Sequence, residues 1–138
     1  MNETLLGIDY GSSKIGLAIG RGGVVAPLRI ISGKNAETAI HEIGRLALEN
    51  KASKIVVGLP ITATGKETGQ TREVRKFADL LKVLSKVPVV FQNEFGSTAG
   101  AFEEAFEKGY SQKGRRLEDH LAAALILKNY YEDNTTTK

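Results

Sequence analysis

The chain has 138 residues, of which 41% are hydrophobic and 25% are charged. This length and composition predict one globular domain with a single core, over residues 1–132, followed by a polar tail at 133–138. The sequence contains no cysteine, which excludes disulfides and thiolate metal sites. Its two histidines, His41 and His120, are too few and too far apart to predict a zinc site. The formal net charge of +3 favours a nucleic-acid partner only weakly.

No apolar run in the sequence reaches the roughly 20 residues that a membrane span requires. The N-terminal segment also lacks a basic region followed by an apolar signal core. We therefore expect a cytoplasmic protein with no membrane partner.

The N-terminal part of the chain carries three apolar strands in succession. They are predicted at residues 4–10, 15–20 and 24–32. The turns between them, at 11–13 and 21–23, are short, so neighbouring strands must run in opposite directions. The pattern predicts an antiparallel meander.

Helices and strands alternate in the middle of the chain. Apolar residues at helical spacing predict helices at 36–50 and 70–85, and each helix is followed by a short apolar strand, at 55–58 and 87–91. A strand, helix, strand order of this kind indicates parallel strands.

Two further helices are predicted after the last strand, at 97–107 and from 117 to 131. The second is apolar nearly all round and must be mostly buried. Three antiparallel strands followed by α-β-α-β and C-terminal helices are typical of the ribonuclease H-like fold. The predicted fold is α/β, with a mixed five-stranded sheet and helices on both faces.

Three acids fall where such a sheet would place a site, at the carboxyl ends of its strands. Asp9 ends the first strand, Glu94 follows the strand at 87–91, and Asp119 lies in the first turn of the last helix. Carboxylates about 5 Å apart would repel one another by roughly 3 kcal/mol per pair at an effective dielectric near 20, so they need protons or a cation. Mg²⁺ or Mn²⁺ suits oxygen ligands, and two such ions would support phosphodiester hydrolysis.

Each of these acids also has a simpler interpretation. Asp9 would accept hydrogen bonds from backbone N–H groups in a turn, and Glu94 would be an exposed acid in a loop. Asp119 would complement the dipole of its helix, for roughly 0.3–1 kcal/mol, and helical spacing does not distinguish it from Glu118. The residues alone leave these alternatives open.

Three sequence motifs resemble the YqgF/RuvX family of the ribonuclease H-like superfamily. The first is Gly7–Gly11 followed by Lys14–Ala18, the second is Val57–Pro60 with the helix at 70–78 behind it, and the third is Glu118–Leu127. Together they span almost the whole chain in the family's order.

The resemblance implies a nuclease that hydrolyses structured nucleic acid, either at the 5′ end of pre-16S rRNA or in Holliday junctions. It also implies that Asp9, Glu94 and Asp119 are catalytic ligands for two Mg²⁺ or Mn²⁺ ions, with Asp9 as the central ligand. The sequence separates neither RNA from DNA as substrate nor a monomer from a homodimer.

One segment departs from the family pattern, in which aspartate, glutamate and arginine precede a hydrophobic residue and two hydroxyl residues. Here Asn93 and Phe95 flank Glu94, while the hydroxyl pair is kept at Ser97 and Thr98. The missing arginine removes a phosphate contact or a hydrogen-bond donor. This departure bears on catalytic strength and substrate choice.

Candidate nucleic-acid contacts lie in three places. Lys14 belongs to the opening motif, and the loop after the first parallel strand offers Thr62 and Lys66 as a flexible rim beside the acids. A mobile basic arm before Asp119 is predicted to neutralise phosphates. Its candidate residues are Lys113, Arg115 and Arg116. The alternatives are a plain strand terminator for the loop and a solvated linker for the basic segment.

Two other functions remain compatible with the pattern. Residues 8–13 also resemble the first phosphate loop of ATP-binding actin and sugar-kinase-like phosphotransferases, although the chain has room for only one of their two lobes. A non-catalytic nucleic-acid-binding module is the second alternative.

Overall fold

The computed structural model describes residues 2–95 and 112–135, with side chains in the second range described for 121–134. It contains five strands and three helices within these ranges. The strands are β1 Thr4–Asp9, β2 Lys14–Arg21, β3 Val24–Ser32, β4 Ala52–Pro60 and β5 Val89–Glu94. The helices are α1 Ala36–Glu49, α2 Gly69–Ser85 and α3 Gln112–Thr135.

The strands form one mixed sheet in the order β3-β2-β1-β4-β5. The pairs β1 with β2 and β2 with β3 are antiparallel, whereas β1 with β4 and β4 with β5 are parallel. The α/β fold class predicted from the order of elements is confirmed.

Helices cover both faces of the sheet because its central strands carry apolar side chains on both sides. In β1, Leu6 and Ile8 belong to the core beneath α1 and α2, while Leu5 belongs to the core beneath α3. Complete burial of each such side chain contributes about 1.5–3 kcal/mol. The two cores hold β1 rigidly from both sides up to its last residue, Asp9.

Helix α3 approaches the sheet closely at two glycines. A Cβ on Gly7 would lie 2.5 Å from the Cγ of Leu127, and a Cβ on Gly58 would lie 2.3 Å from the Cδ1 of Ile126. Ala123 lies against Gly7 through its carbonyl oxygen, whereas Tyr131 lies against Gly20, beside the start of β1. The helix therefore runs opposite to β1, and its N-terminal half approaches the end of the strand that carries Asp9.

Several predicted boundaries were wrong. Strand β4 extends beyond 55–58 in both directions, and β5 continues to Glu94 because the parallel ladder pairs Pro60 with Glu94. Apolar runs located these strands, but backbone pairing carries them on through polar residues.

The last helix is also longer than predicted. It begins at Gln112 and continues to Thr135, so residues 133–135 of the predicted tail are helical. Residues 112–116 of the predicted basic arm are helical too, which contradicts a mobile loop there. The helix predicted at 97–107, with Ser97 and Thr98, lies outside the described residues. Within the part of the chain described, no helix is long and apolar enough to cross a membrane.

Candidate functional site

Asp9 is the last residue of β1 and lies on the face of the sheet that α3 covers. It is half-buried and pairs with Gly16 of β2, and it shares its side of β1 with Leu5 and Gly7. The next residue, Tyr10, turns to the opposite face, where its ring centroid lies 4.4 Å from that of Phe77. This ring contact anchors the chain immediately after the carboxylate.

Glu94 is the last residue of β5 and lies on the same face. It is half-buried, and its Cγ lies 3.6 Å from the position that a Cβ on Gly58 would take. Strand β4 separates β5 from β1, so the two backbones are about 10 Å apart. Because Ile8 pairs with Val57, the next residue of β1, Asp9, lies level with Gly58 of β4. The two acids therefore lie on either side of Gly58, whose α3 face is covered by the side chain of Ile126.

Three hydrogen bonds, between two pairs of residues, connect β5 to α3 beside this position. The Nδ2 of Asn129 donates to both oxygens of Glu94, at 3.4 Å from Oε1 and 3.3 Å from Oε2. The Nε2 of Gln92, which is buried, donates to the Oδ2 of Asp133 at 2.6 Å. Sequence reasoning missed Asn129 and Gln92. Their polarity within apolar elements was the available signal.

Asp119 belongs to α3, four residues before Ala123, in the half of the helix that approaches the end of β1. Its side chain lies outside the described part of the chain. Among the side chains described, no three His, Cys, Asp or Glu residues are grouped closely enough to hold a metal ion. The structure brings Asp9 and Glu94 to one edge of the sheet, and their all-oxygen donor set fits a hard cation such as Mg²⁺ or Mn²⁺.

Hydrogen bonds close the loop after β4 into a turn. The Thr62 amide donates to the Lys66 carbonyl at 2.9 Å, and the Lys66 amide donates to Thr62 Oγ1 at 2.9 Å. The Ile61 amide donates to the Glu94 carbonyl at 3.1 Å. These bonds hold Thr62 and Lys66 beside the end of β5.

The start of α2 fixes the other end of this loop. Thr68 caps the helix, and Thr71, which is fully buried, donates from its hydroxyl to the Pro60 carbonyl. Arg75 binds both carboxylate oxygens of Glu67, at 3.0 and 2.6 Å. The Arg75 guanidinium lowers the pKa of the Glu67 carboxyl below its ordinary value.

The predicted basic contacts are distributed around the same edge. Lys14 is exposed at the start of β2, two residues before the partner of Asp9 and on the same face of the sheet. Three other candidates occupy the first turns of α3, with side chains outside the described residues: Lys113, Arg115 and Arg116. Phe95 follows Glu94 directly and is 50% exposed.

A mixed five-stranded sheet in this order, with helices on both faces, is the ribonuclease H-like fold. The chain belongs to the RuvX family, described as Holliday junction resolvase, and the match covers residues 3–133.

Curated relatives agree with this family. A protein of Nitrosospira multiformis named "Putative pre-16S rRNA nuclease" is 37% identical over 97% of this chain and 91% of its own length. Proteins of the same name from Shewanella denitrificans and Chloroflexus aggregans are each 34% identical over 96% of this chain and 96% of theirs. The matches therefore cover more than nine-tenths of each relative's own length.

Solved structures share the fold at low sequence identity. T. thermophilus RuvC in complex with Holliday junction substrate matches with a TM-score of 0.56 at 15% identity, over 96% of this chain and 97% of that one. The Fowlpox virus resolvase in complex with Holliday junction DNA matches with a TM-score of 0.50 at 10% identity, over 93% and 98%.

Proposed function

We propose that this protein is a divalent-metal-dependent nuclease that hydrolyses phosphodiester bonds in structured nucleic acid. The observation that carries the proposal is the placement of Asp9 and Glu94. Both are half-buried, both lie on the α3 face, and they lie on either side of Gly58 at the carboxyl ends of their strands. Two carboxylates that share a partly dehydrated site are stabilised by a cation between them.

In this proposal Asp9 is the central metal ligand, because β1 lies between β2 and β4 and is packed from both faces. Glu94 supplies the second set of oxygens from the edge strand. Asp119 is the third ligand, supplied by the half of α3 that approaches β1. Bound Mg²⁺ or Mn²⁺ would lower the pKa of water and stabilise the negative charge that develops on the phosphate.

The surrounding residues would hold the nucleic-acid backbone. Lys14 is exposed on β2, beside the strand of Asp9. Thr62 and Lys66 belong to the loop after β4, the strand that lies between those of Asp9 and Glu94. Each lysine that neutralises a phosphate makes binding more dependent on salt. Lys113, Arg115 and Arg116 would add further basic residues from the first turns of α3. Groups of this kind bind mainly phosphate and sugar, so they suit a substrate recognised by shape.

The curated relatives make a pre-16S rRNA precursor the first substrate to assay, and the family description makes a four-way DNA junction the second. Each substrate is incubated with the protein in Mg²⁺ or Mn²⁺ and, in parallel, with EDTA. We expect cleavage of at least one substrate, and its loss in EDTA.

Asp9→Asn tests the site directly, since it removes the charge and keeps the shape. We expect it to abolish cleavage while thermal unfolding in EDTA stays close to that of the wild type. Asp79→Asn is the matched control, because Asp79 is exposed on α2, on the other side of the sheet. Cleavage that persists in EDTA or in Asp9→Asn would contradict the assignment of Asp9 as a ligand of a catalytic metal ion.

Two other outcomes would redirect the assignment. Tight binding of both substrates with no cleavage in either metal would indicate a non-catalytic binding module. ATP turnover in the same preparations would indicate a phosphotransferase instead.

A further inference from the structure

Two polar contacts join the edge strand β5 to helix α3. Gln92 and Glu94 project from one side of β5, two residues apart, and Asn129 and Asp133 project from one side of α3, four residues apart. The hydrogen bonds pair Gln92 with Asp133 and Glu94 with Asn129. We call these two pairs the β5–α3 ladder.

The β5–α3 ladder lies where the sheet gives Glu94 least support. Within the described sheet, β5 pairs only with β4, whereas the strand that carries Asp9 has a neighbour on each side. A glutamate side chain has three rotatable bonds, and ordering it costs up to about 2 kcal/mol of conformational entropy. A ligand on an edge strand therefore needs a contact that selects one orientation.

Asn129 makes such a contact with the carboxylate. Its Nδ2 lies within 3.4 Å of both Glu94 oxygens, which restricts rotation of the carboxylate about its own axis. An ionised carboxylate has about four acceptor positions, so the amide leaves others for a cation. The amide carries no charge, so it does not compete with a cation for the site by repulsion.

We propose that Asn129 is a positioning residue, which holds the Glu94 carboxylate over Gly58 in the orientation that a shared cation requires. The inference rests on the proposed metal-dependent function and extends it to a residue on the opposite element. Residues that hydrogen-bond to metal ligands commonly contribute 10- to 100-fold in metal affinity or activity.

The test measures Mn²⁺ binding to the protein without nucleic acid, from the electron paramagnetic resonance signal of free Mn²⁺. Asn129→Leu removes both donors at similar volume, and we expect it to weaken Mn²⁺ binding roughly 10- to 100-fold. Asn129→Gln keeps the amide and should recover part of the affinity. Asn134→Leu, the same exchange on an exposed part of α3, should bind Mn²⁺ as the wild type does.

A purely structural role predicts a different result. It would lower the thermal unfolding temperature of Asn129→Leu in EDTA and leave the Mn²⁺ affinity of the folded protein unchanged. In cleavage assays we expect Asn129→Leu to need more metal for half-maximal rate, with an unchanged KM for nucleic acid at saturating metal. If Asn129→Leu does not fold, Asn129→Ala removes the same donors and is expected to show the same weakening.

The controls separate failure of this inference from failure of the proposed function. Wild-type Mn²⁺ affinity in Asn129→Leu, together with weakened binding in Glu94→Gln, would overturn the positioning role and leave the metal site standing. Unchanged Mn²⁺ affinity in both Asp9→Asn and Glu94→Gln would overturn the metal site and, with it, the role of Asn129.

Discussion

The close approach of α3 to β4 makes Gly58→Ala a sensitive perturbation. The added Cβ would lie 2.3 Å from Ile126 Cδ1 and 2.8 Å from Ile126 Cγ1, which are both well inside contact distance. Ile126 is only 2% exposed and packs in the core beneath α3, so it has little space to move away. The substitution should displace the helix or force Ile126 out of its rotamer.

The expected loss combines two opposing effects. Overpacking of a buried site costs about 1–3 kcal/mol, and replacing glycine by alanine recovers about 0.4–1 kcal/mol by restricting the unfolded chain. The net loss in free energy of unfolding is therefore about 1–2 kcal/mol. In a chain of this length that corresponds to a fall of roughly 3–7 °C in Tm.

A double-mutant cycle with Ile126→Val tests the stated cause. Valine lacks the Cδ1 atom that would make the 2.3 Å contact. Ile126→Val alone should lower the free energy of unfolding by about 0.5–1.5 kcal/mol. The loss in the double variant should be smaller than the sum of the two single losses by about 1 kcal/mol. Urea unfolding in EDTA measures all four proteins without any contribution from bound metal.

Gly44→Ala is the matched glycine control. Gly44 lies inside α1, and the nearest atom to its added Cβ, the Cβ of Ser85, is 3.9 Å away. Alanine is the better helix former, so this variant should gain about 0.5–1 kcal/mol. Additive losses in the Gly58 and Ile126 cycle, within about 0.5 kcal/mol, would refute the steric explanation.

Three further substitutions test the elements around the site, each by urea unfolding. Thr71→Val removes the buried hydroxyl that bonds the Pro60 carbonyl, and should cost about 1–3 kcal/mol; a loss under about 0.5 kcal/mol would contradict that bond. Asn35→Ala removes the N-cap of α1 and should lower the free energy of unfolding by about 1 kcal/mol, whereas Asn35→Ser keeps a capping oxygen and should retain most of that stability. The lowered pKa of Glu67 beside Arg75 predicts stability that is present above the ordinary glutamate pKa and lost as the pH falls through the lowered value. Glu67→Gln should remove that part of the pH dependence of stability. If stability depends on pH in the same way in Glu67→Gln and the wild type, the Glu67–Arg75 pair does not contribute to it.

The relative directions of the strands were predictable because they follow from local patterns. Short turns force the first three strands to be antiparallel, and intervening helices force the next two to be parallel. The position of Asp9 was equally predictable, since an acid directly after an apolar run lies at the end of the strand that the run predicts. These features depend on residues close together in sequence.

The loop after β4 was harder to predict. Its threonines, glycine and lysine have the composition of a mobile segment, and the sequence therefore predicted a flexible rim. The structure adds hydrogen bonds that the sequence did not predict: they close a turn between Thr62 and Lys66 and connect Ile61 to the end of β5. Composition does not indicate which backbone groups will find partners.

The sequence by itself determined the element order, the family and the location of the acid at the end of β1, because hydrophobic periodicity and turn residues act over short distances along the chain. Only the tertiary structure decided that Glu94 lies over Gly58 and that Asn129 bonds its carboxylate. Glu94 and Asn129 are 35 residues apart. Their contact depends on the register of β5 against β4 and on how closely α3 packs onto the sheet, and no local pattern encodes either distance.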